Sequence, residues 1–173
     1  MDETAFIQSL YEESERAGVV LAIAKIDAEL EALLKSVLLP CAGGEDSLFD
    51  SDRALGTFSA KIAIAHRLGL IDGEFEHALQ LMRKIRNEFA HHVDNASLSR
   101  GGHRDRVAHL ARWTKKNPHF DNARDMAKKA YPDLDDHHVN FMLCVLAILA
   151  ALETGREKAK RIDLGAAIRI EGA

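Results

Sequence analysis

Apolar side chains repeat with the period of an α-helix between residues 75 and 93. At about 100° per residue they fall within one arc roughly 120° wide. They are Phe75, Ala78, Leu79, Met82, Ile85, Phe89 and Val93. Arg86 falls inside the same arc, where a guanidinium that cannot lose its proton is costly to bury. The sequence therefore predicts that something fixed and polar meets Arg86 inside the fold.

The same periodicity covers most of the chain, and we find no alternating pattern typical of a strand. It predicts helices over about 3–16, 19–38, 51–68, 73–90 and 135–161, with Gly18 between the first two and Ser51 or Asp52 capping the third. Residues 94–131 are predicted to form a basic region of loop and short helices. We expect an all-α fold: one helical-bundle domain over residues 1–173, with four or five main helices and short extra helices.

Composition agrees with a single soluble helical domain. The chain has 173 residues, of which 47% are hydrophobic and 29% charged. The longest apolar run, Val139 to Leu152, has fourteen residues. It is too short to span a bilayer and is predicted to be a core helix. The acidic N-terminus does not resemble a targeting signal, so we expect a cytoplasmic protein without a membrane partner, with Cys41 and Cys144 reduced.

Charge is unevenly distributed along the chain. The net charge is −4, but residues 51–130 carry 15 basic and 9 acidic side chains. A locally basic segment suits a nucleic acid or an acidic protein, whereas the overall acidity argues against strong non-specific DNA binding. Charge alone leaves direct DNA binding open.

The segment "FSAKIAIAHRLGLIDGEFEHALQLMRKIRNEFAHHV", residues 58–93, resembles the mannitol operon repressor family. In that family an "F-S-x-[RK]-I" start leads through "LGLI" into "IR[KN]IRN-x-FAH". The most specific parts of the match are "LGLID" and "RKIRNEFAH". The resemblance implies an all-helical transcriptional regulator of a sugar-alcohol uptake operon.

The shorter pattern "RNEFAH" also resembles HEPN-type helical domains. Many of these are metal-independent ribonucleases, and others are non-catalytic binding or dimerisation modules. By this resemblance Arg86 would stabilise the phosphate, Asn87 would be the polar orienting residue and His91 would act as the general base. That chemistry is sound, because cleavage by the 2′-hydroxyl needs a base of near-neutral pKa and a fixed cation.

Helix geometry limits the catalytic hypothesis. Arg86 and His91 point about 140° apart on an unbroken helix. They converge only if the helix ends near Ala90 or if a two-fold partner supplies one of them. A ribonuclease is therefore the alternative, and we expect a protein that is not an enzyme.

A structural role explains the same residues without a ligand. Arg86 would bond free carbonyl groups of a neighbouring helix or pair with a carboxylate. The candidate carboxylates are Glu29, Glu31 and Asp52. Asn87 would bridge two helices. His91 and His92 would lie at the C-terminal end of the helix, where they interact favourably with the helix dipole. We favour this structural or dimer-forming role, with ligand or partner binding by Arg86, Asn87, His91 and His92 next.

The basic segment "RGGHRDRVAHLARWTKK" is a candidate nucleic-acid contact. Its cations would bind phosphates while the tryptophan stacks on a base. The candidate residues are Arg104, Arg106, Arg112, Trp113, Lys115 and Lys116. We favour instead a solvated amphipathic segment with its tryptophan packed on the bundle. The helix–turn–helix outline over about 62–84 is needed for the core, so it offers no recognition helix.

Nine histidines raise the question of a metal. The pairs at 91–92 and 137–138 could combine with His103 or His109, but adjacent histidines on a helix diverge by about 100° and no HExxH unit is present. We expect neither metal nor cofactor. The predicted partners are a second copy of the chain, in a dimer, or a separate DNA-binding or phosphotransfer protein.

Overall fold

The structure, a computed structural model, describes residues 6, 9–11, 13–91 and 96–163. Six helices with defined bounds follow one another. They are α1 Glu15–Val37, α2 Phe58–Arg67, α3 Gly73–His91, α4 Gly101–Thr114, α5 Phe120–Ala130 and α6 Asp136–Lys158. The described residues contain no strand, which confirms the predicted all-α class.

Four long helices form a ring around one core. Helix α1 packs against α3 and α6, and α4 packs against the same two helices from the other side. The short helix α2 lies against α1 and α3, whereas α5 lies against α6. The predicted bundle of four or five main helices with short extra helices is therefore confirmed.

Helix α6 supplies much of the core. Its apolar run from Val139 onward includes Phe141, Cys144 and Ile148, each with no exposed surface. By length and composition alone α6 is also apolar enough to cross a membrane, and 56% of its most apolar window is buried inside the bundle. In this fold α6 packs on α1, α4 and α5.

The boundary predicted at Gly18 is wrong. Helix α1 begins at Glu15, where the Ser14 hydroxyl accepts a hydrogen bond from the Ala17 N–H at 3.3 Å. Gly18 lies inside the helix, where an added Cβ would be 3.1 Å from the Leu10 carbonyl oxygen. This glycine permits a close approach of two backbones rather than ending a helix. Of the first predicted helix, 3–16, residues 3–5, 7, 8 and 12 lie outside the described residues.

The predicted start of the third helix is also wrong. The chain turns at residues 50–55, and α2 begins only at Phe58. The N-cap is Thr57, whose hydroxyl accepts from the Ala60 N–H at 3.1 Å. A Cβ on Gly56 would lie 2.1 Å from the Asp50 carbonyl oxygen, so only glycine fits where this turn closes. Ser51 and Asp52 therefore belong to the turn and not to a cap.

Candidate functional site

Arg86 lies on the surface of α3 rather than in the core. Its Nη1 donates a hydrogen bond of 3.3 Å to Oδ1 of the adjacent Asn87. Leu79 and Met82, in the same projected arc, have no exposed surface. Because α2 has ten residues, about 15 Å of helix, it cannot cover the whole of the nineteen-residue α3. The prediction that Arg86 meets a fixed partner across the bundle is wrong.

The carboxylates predicted as partners of Arg86 bind other cations. Glu29 pairs with Lys25 at 2.7 Å and lies 3.6 Å from Arg156. Glu31 pairs with Lys35 at 2.6 Å and with Lys61 at 2.8 Å, and Asp52 lies 3.9 Å from Arg53. The acidic face of α1 is thus already neutralised without Arg86.

Among the described residues, the buried lysine or arginine is Lys61, on α2. It is 5% exposed, and its Nζ donates 2.8 Å hydrogen bonds to Asp27 Oδ1 and Glu31 Oε2 on α1. Burial lowers the pKa of the Lys61 ammonium, but the hydrogen bonds to Asp27 and Glu31 outweigh burial and leave that pKa above its ordinary value. Lys61 therefore joins α2 to α1 as a permanent cation.

Helix α3 continues without a break through His91, its last residue, which is exposed. The divergence of about 140° between Arg86 and His91 therefore persists, and the two side chains do not converge within one molecule. His92 lies outside the described residues. Any joint action of Arg86 and His91 on one substrate requires a second copy of the chain.

The C-terminal end of α3 is held by an arginine from another helix. Arg16 Nη2 donates a 3.0 Å hydrogen bond to the Ala90 carbonyl, one of the carbonyls that a helix end leaves free. The preceding residue, Glu15, accepts hydrogen bonds from the Leu98 N–H at 2.8 Å and the Ser97 hydroxyl at 3.4 Å. The carbonyl-binding role considered for Arg86 belongs to Arg16.

Three of the exposed cations predicted to contact nucleic acid lie beside carboxylates. Arg104 is 3.7 Å from Asp105, and Lys115 is 3.8 Å from Asp121. Lys116 forms an ion pair with Glu74 at the start of α3. The positive charge of this segment is therefore largely compensated within the molecule.

Arg106 is engaged inside the fold. Its Nη1 and Nη2 each lie 2.8 Å from an oxygen of Glu88, a fork-to-carboxylate arrangement that fixes the guanidinium plane. The same carboxylate lies 3.2 Å from His103 Nε2, and the His103 ring meets the Phe89 ring edge-on at 5.0 Å. Arg106 therefore belongs to the contact between α3 and α4. Its engagement with Glu88 argues against a phosphate contact.

Trp113 packs on the bundle and borders a cleft. Its ring meets Phe75 edge-to-face, with centroids 5.4 Å apart. Beside it lies an opening of about 300 Å³, here called the α3–α4 cleft, between the start of α3 and the end of α4. Its lining residues are Gly73, Glu74, His77, Ala78, His109, Leu110, Arg112, Trp113 and Lys116. Of these, the sequence predicts Arg112, Trp113 and Lys116 as possible nucleic-acid contacts, Ala78 as part of the apolar arc, and His109 as a possible metal ligand.

The remaining histidine stretch starts a helix. Asp135 is the N-cap of α6, and its Oδ1 accepts from the N–H groups of His137 at 2.6 Å and His138 at 3.0 Å. Within the described residues, no three or more His, Cys, Asp or Glu side chains are grouped to hold a metal ion. The "DDHH" stretch, residues 135–138, thus has a local structural explanation: it begins α6.

Comparisons of the chain with protein-family models, with curated proteins and with solved structures found no match. The resemblance of residues 58–93 to mannitol operon repressors and to HEPN-type domains stays a prediction from the motif. Any function proposed for this chain therefore depends on that motif and on the geometry of the described side chains.

Proposed function

We propose that this chain is a cytoplasmic transcriptional regulator, similar to mannitol operon repressors, that acts through protein contacts rather than through a DNA-reading helix of its own. Its partner is a second copy, in a dimer, or a separate DNA-binding or phosphotransfer protein. The observation that supports this proposal best is the pairing of four cations on and just after α4 with carboxylates of the same molecule: Arg104, Arg106, Lys115 and Lys116.

DNA affinity depends on cations that replace the counterions of phosphates. Arg106 is held by Glu88 in a fork, and Lys116 is paired with Glu74. A phosphate would have to compete with these carboxylates. The two helices with a helix–turn–helix outline, α2 and α3, both pack into the bundle, which leaves them poorly placed to enter a groove.

The exposed end of α3 is the surface we assign to the protein partner. Arg86 is exposed beside Asn87, and none of the described carboxylates forms an ion pair with it. Arginine is enriched in protein interfaces because its planar fork binds carboxylates and stacks on rings. His91 extends the same exposed end of the helix.

Charge reversal on α3 tests the protein-contact proposal. We expect Arg86→Glu to weaken self-association, or association with a candidate DNA-binding protein, at least about tenfold by analytical ultracentrifugation. Lys84→Glu is the matched control, because Lys84 is exposed on the same helix and undergoes the same charge change. Equal association of wild type and both variants would contradict the assignment of this surface.

A gel-shift titration with a pool of genomic fragments tests the second half of the proposal. We expect the purified chain alone to retain no fragment selectively at any salt concentration. Tight, fragment-specific binding that disappears when Arg104 and Arg112 are changed to Gln would refute action through a partner.

The ribonuclease alternative is favoured by one observation: Arg86 and His91 are both exposed and accessible to a substrate. In a two-fold dimer, each copy would supply one of the two groups. Incubating single-stranded RNA with wild type and His91→Ala, in the presence of EDTA, separates the alternatives. Metal-independent cleavage that the substitution abolishes would replace the regulator by an enzyme.

A further inference from the structure

We propose that the α3–α4 cleft binds a small ligand made of one flat ring and one acidic group, a phosphate or a carboxylate. This inference goes beyond the proposed regulatory function and does not rest on it, because binding is measured on the purified chain alone.

The size of the cleft suits one ring with a substituent. Its volume of about 300 Å³ is at the lower end of the range for small-molecule sites. The apolar part of its lining comes from Ala78 on α3 and Leu110 on α4, which are 2% and 0% exposed. Both residues belong to helices that pack on each other, so the opening exists before a ligand arrives.

Aromatic side chains border this opening. The Trp113 ring is half-buried, and its edge-to-face contact with Phe75 restricts its orientation. The exposed imidazoles of His77 and His109 lie with centroids 5.0 Å apart and planes inclined at 64°. Flat π-systems pair favourably with such rings in stacked or edge-on arrangements. The borders therefore favour a planar ligand over a branched aliphatic one.

The charge of the cleft favours an acid. Lys116 and Glu74 compensate each other as an ion pair. Among the described residues, no carboxylate pairs with Arg112, which leaves one permanent cation uncompensated at the cleft. A guanidinium offers two parallel donors to a carboxylate or phosphate, so Arg112 is the residue we assign to the acidic group.

The single tryptophan of the chain makes the test direct. Trp113 gives one indole N–H resonance, which we would follow by NMR while the full chain is titrated with phenyl phosphate or benzoate. We expect a saturable shift with at least one of them. Inorganic phosphate and benzyl alcohol each carry half of the proposed ligand and are expected to bind at least about tenfold more weakly.

Two variants on the same helix locate the charge. Arg112→Gln is expected to weaken binding about tenfold or more, through loss of a charge-assisted hydrogen bond. Arg104→Gln makes the same charge change on α4 about 12 Å away and is expected to leave binding unchanged within about twofold. Both residues are exposed, so neither change is expected to unfold the bundle.

Three outcomes would overturn the proposal. The first is an indole resonance unmoved by both ring acids at millimolar concentration. The second is an equal weakening of ligand binding by Arg104→Gln and Arg112→Gln, which would show that the effect comes from overall charge alone. The third is inorganic phosphate binding as tightly as phenyl phosphate, which would leave no role for the ring.

Discussion

The ammonium group of Lys61 lies 2.8 Å from the Asp27 carboxylate, at a position where the lysine side chain is only 6% exposed. The contact joins α2 to α1. Glu31, one helical turn after Asp27, receives a second hydrogen bond from the same ammonium. Three charged groups from two helices therefore form one partly buried unit, whose removal is expected to affect stability.

Lys61→Met tests this unit while keeping most of the apolar stem. We expect the free energy of unfolding in urea to fall by about 1–3 kcal/mol, because two carboxylates lose their shared cation. The loss is smaller than for a fully buried pair, since Asp27 and Glu31 are 29% and 25% exposed. Lys25→Met is the control: its pair with Glu29 is more exposed, and we expect a loss below about 0.5 kcal/mol.

The same unit makes stability depend on pH in acid. Burial raises the pKa of the Glu31 carboxyl, but hydrogen bonds from Lys35 and Lys61 outweigh burial and hold that pKa below its ordinary value of 4.5. A carboxyl with a lowered folded-state pKa stabilises fully above its unfolded pKa and loses that effect as the pH falls through the folded one. We expect the stability difference between wild type and Lys61→Met to shrink below about pH 4.

The contribution of Lys61 to stability depends on pH in the opposite direction: it is lost as the pH rises. The pKa of Lys61 is raised above 10.5, so its contribution is complete below pH 10.5 and is lost as the pH rises through the folded-state pKa. Urea titrations across the pH range would measure both limits. A wild-type to variant difference that is independent of pH would contradict the ion-pair explanation.

Arg86→Ala is expected to leave stability almost unchanged, within about 0.5 kcal/mol, because Arg86 is exposed and its hydrogen-bond partner is its own neighbour. Arg16→Ala removes the hydrogen bond to the Ala90 carbonyl and is expected to cost about 0.5–1.5 kcal/mol. Thermal unfolding of the two variants would compare them. The reverse order would mean that Arg86 is buried after all.

Arg104 and Arg106, two residues apart on α4, are expected to differ in how much they stabilise the fold. Arg106→Ala breaks the fork to Glu88 and should destabilise by about 1–2 kcal/mol, whereas Arg104→Ala should cost less than about 0.5 kcal/mol. A double-mutant cycle with Glu88→Gln would measure the coupling. No coupling between Arg106 and Glu88 would show that the fork contributes nothing to the α3–α4 contact.

The two cysteines are expected to react at very different rates. Cys41 is exposed, whereas burial raises the pKa of the Cys144 thiol to about 12, despite the nearby Thr114 hydroxyl at 3.2 Å, which lowers it. The thiolate is the reactive form, so the native chain should show one fast thiol by alkylation and mass spectrometry. The second should react only in denaturant. Rapid labelling of Cys144 in the native chain would contradict its burial.

Helix periodicity predicted the long elements well because their apolar stripes are continuous. It placed α3 at 73–90 and the last helix at 135–161, against Gly73–His91 and Asp136–Lys158. It failed at Gly18, where the glycine indicates a helix end although a close backbone contact inside the helix requires it. It failed again at 51–57, where the turn closed by Gly56 has no periodic signal.

The site was harder to predict than the fold. Arg86 and Lys61 both fall on apolar arcs in projection, yet only Lys61 is buried. A helical projection gives only the angle of each side chain. It contains no information on the length of the neighbouring helix, and α2 has ten residues whereas α3 has nineteen. The sequence feature that points to the burial of Lys61 lies on α1, where Asp27 and Glu31 are one turn apart beside the buried Ile26 and Leu30. His77 had no local pattern at all, because the α3–α4 cleft exists only after two helices pack.

The first turn of α1 has a practical consequence for engineering. Arg16 binds the chain at Ala90 and Glu15 binds it again at Leu98, so both ends of the intervening segment are anchored to one place. Lengthening the connection between Ala90 and Leu98 leaves both anchor points in place, and doubling the length of a flexible connection costs only about 0.6 kcal/mol in closure entropy. A fluorophore or affinity tag inserted between these two anchor points is therefore expected to leave the bundle assembled.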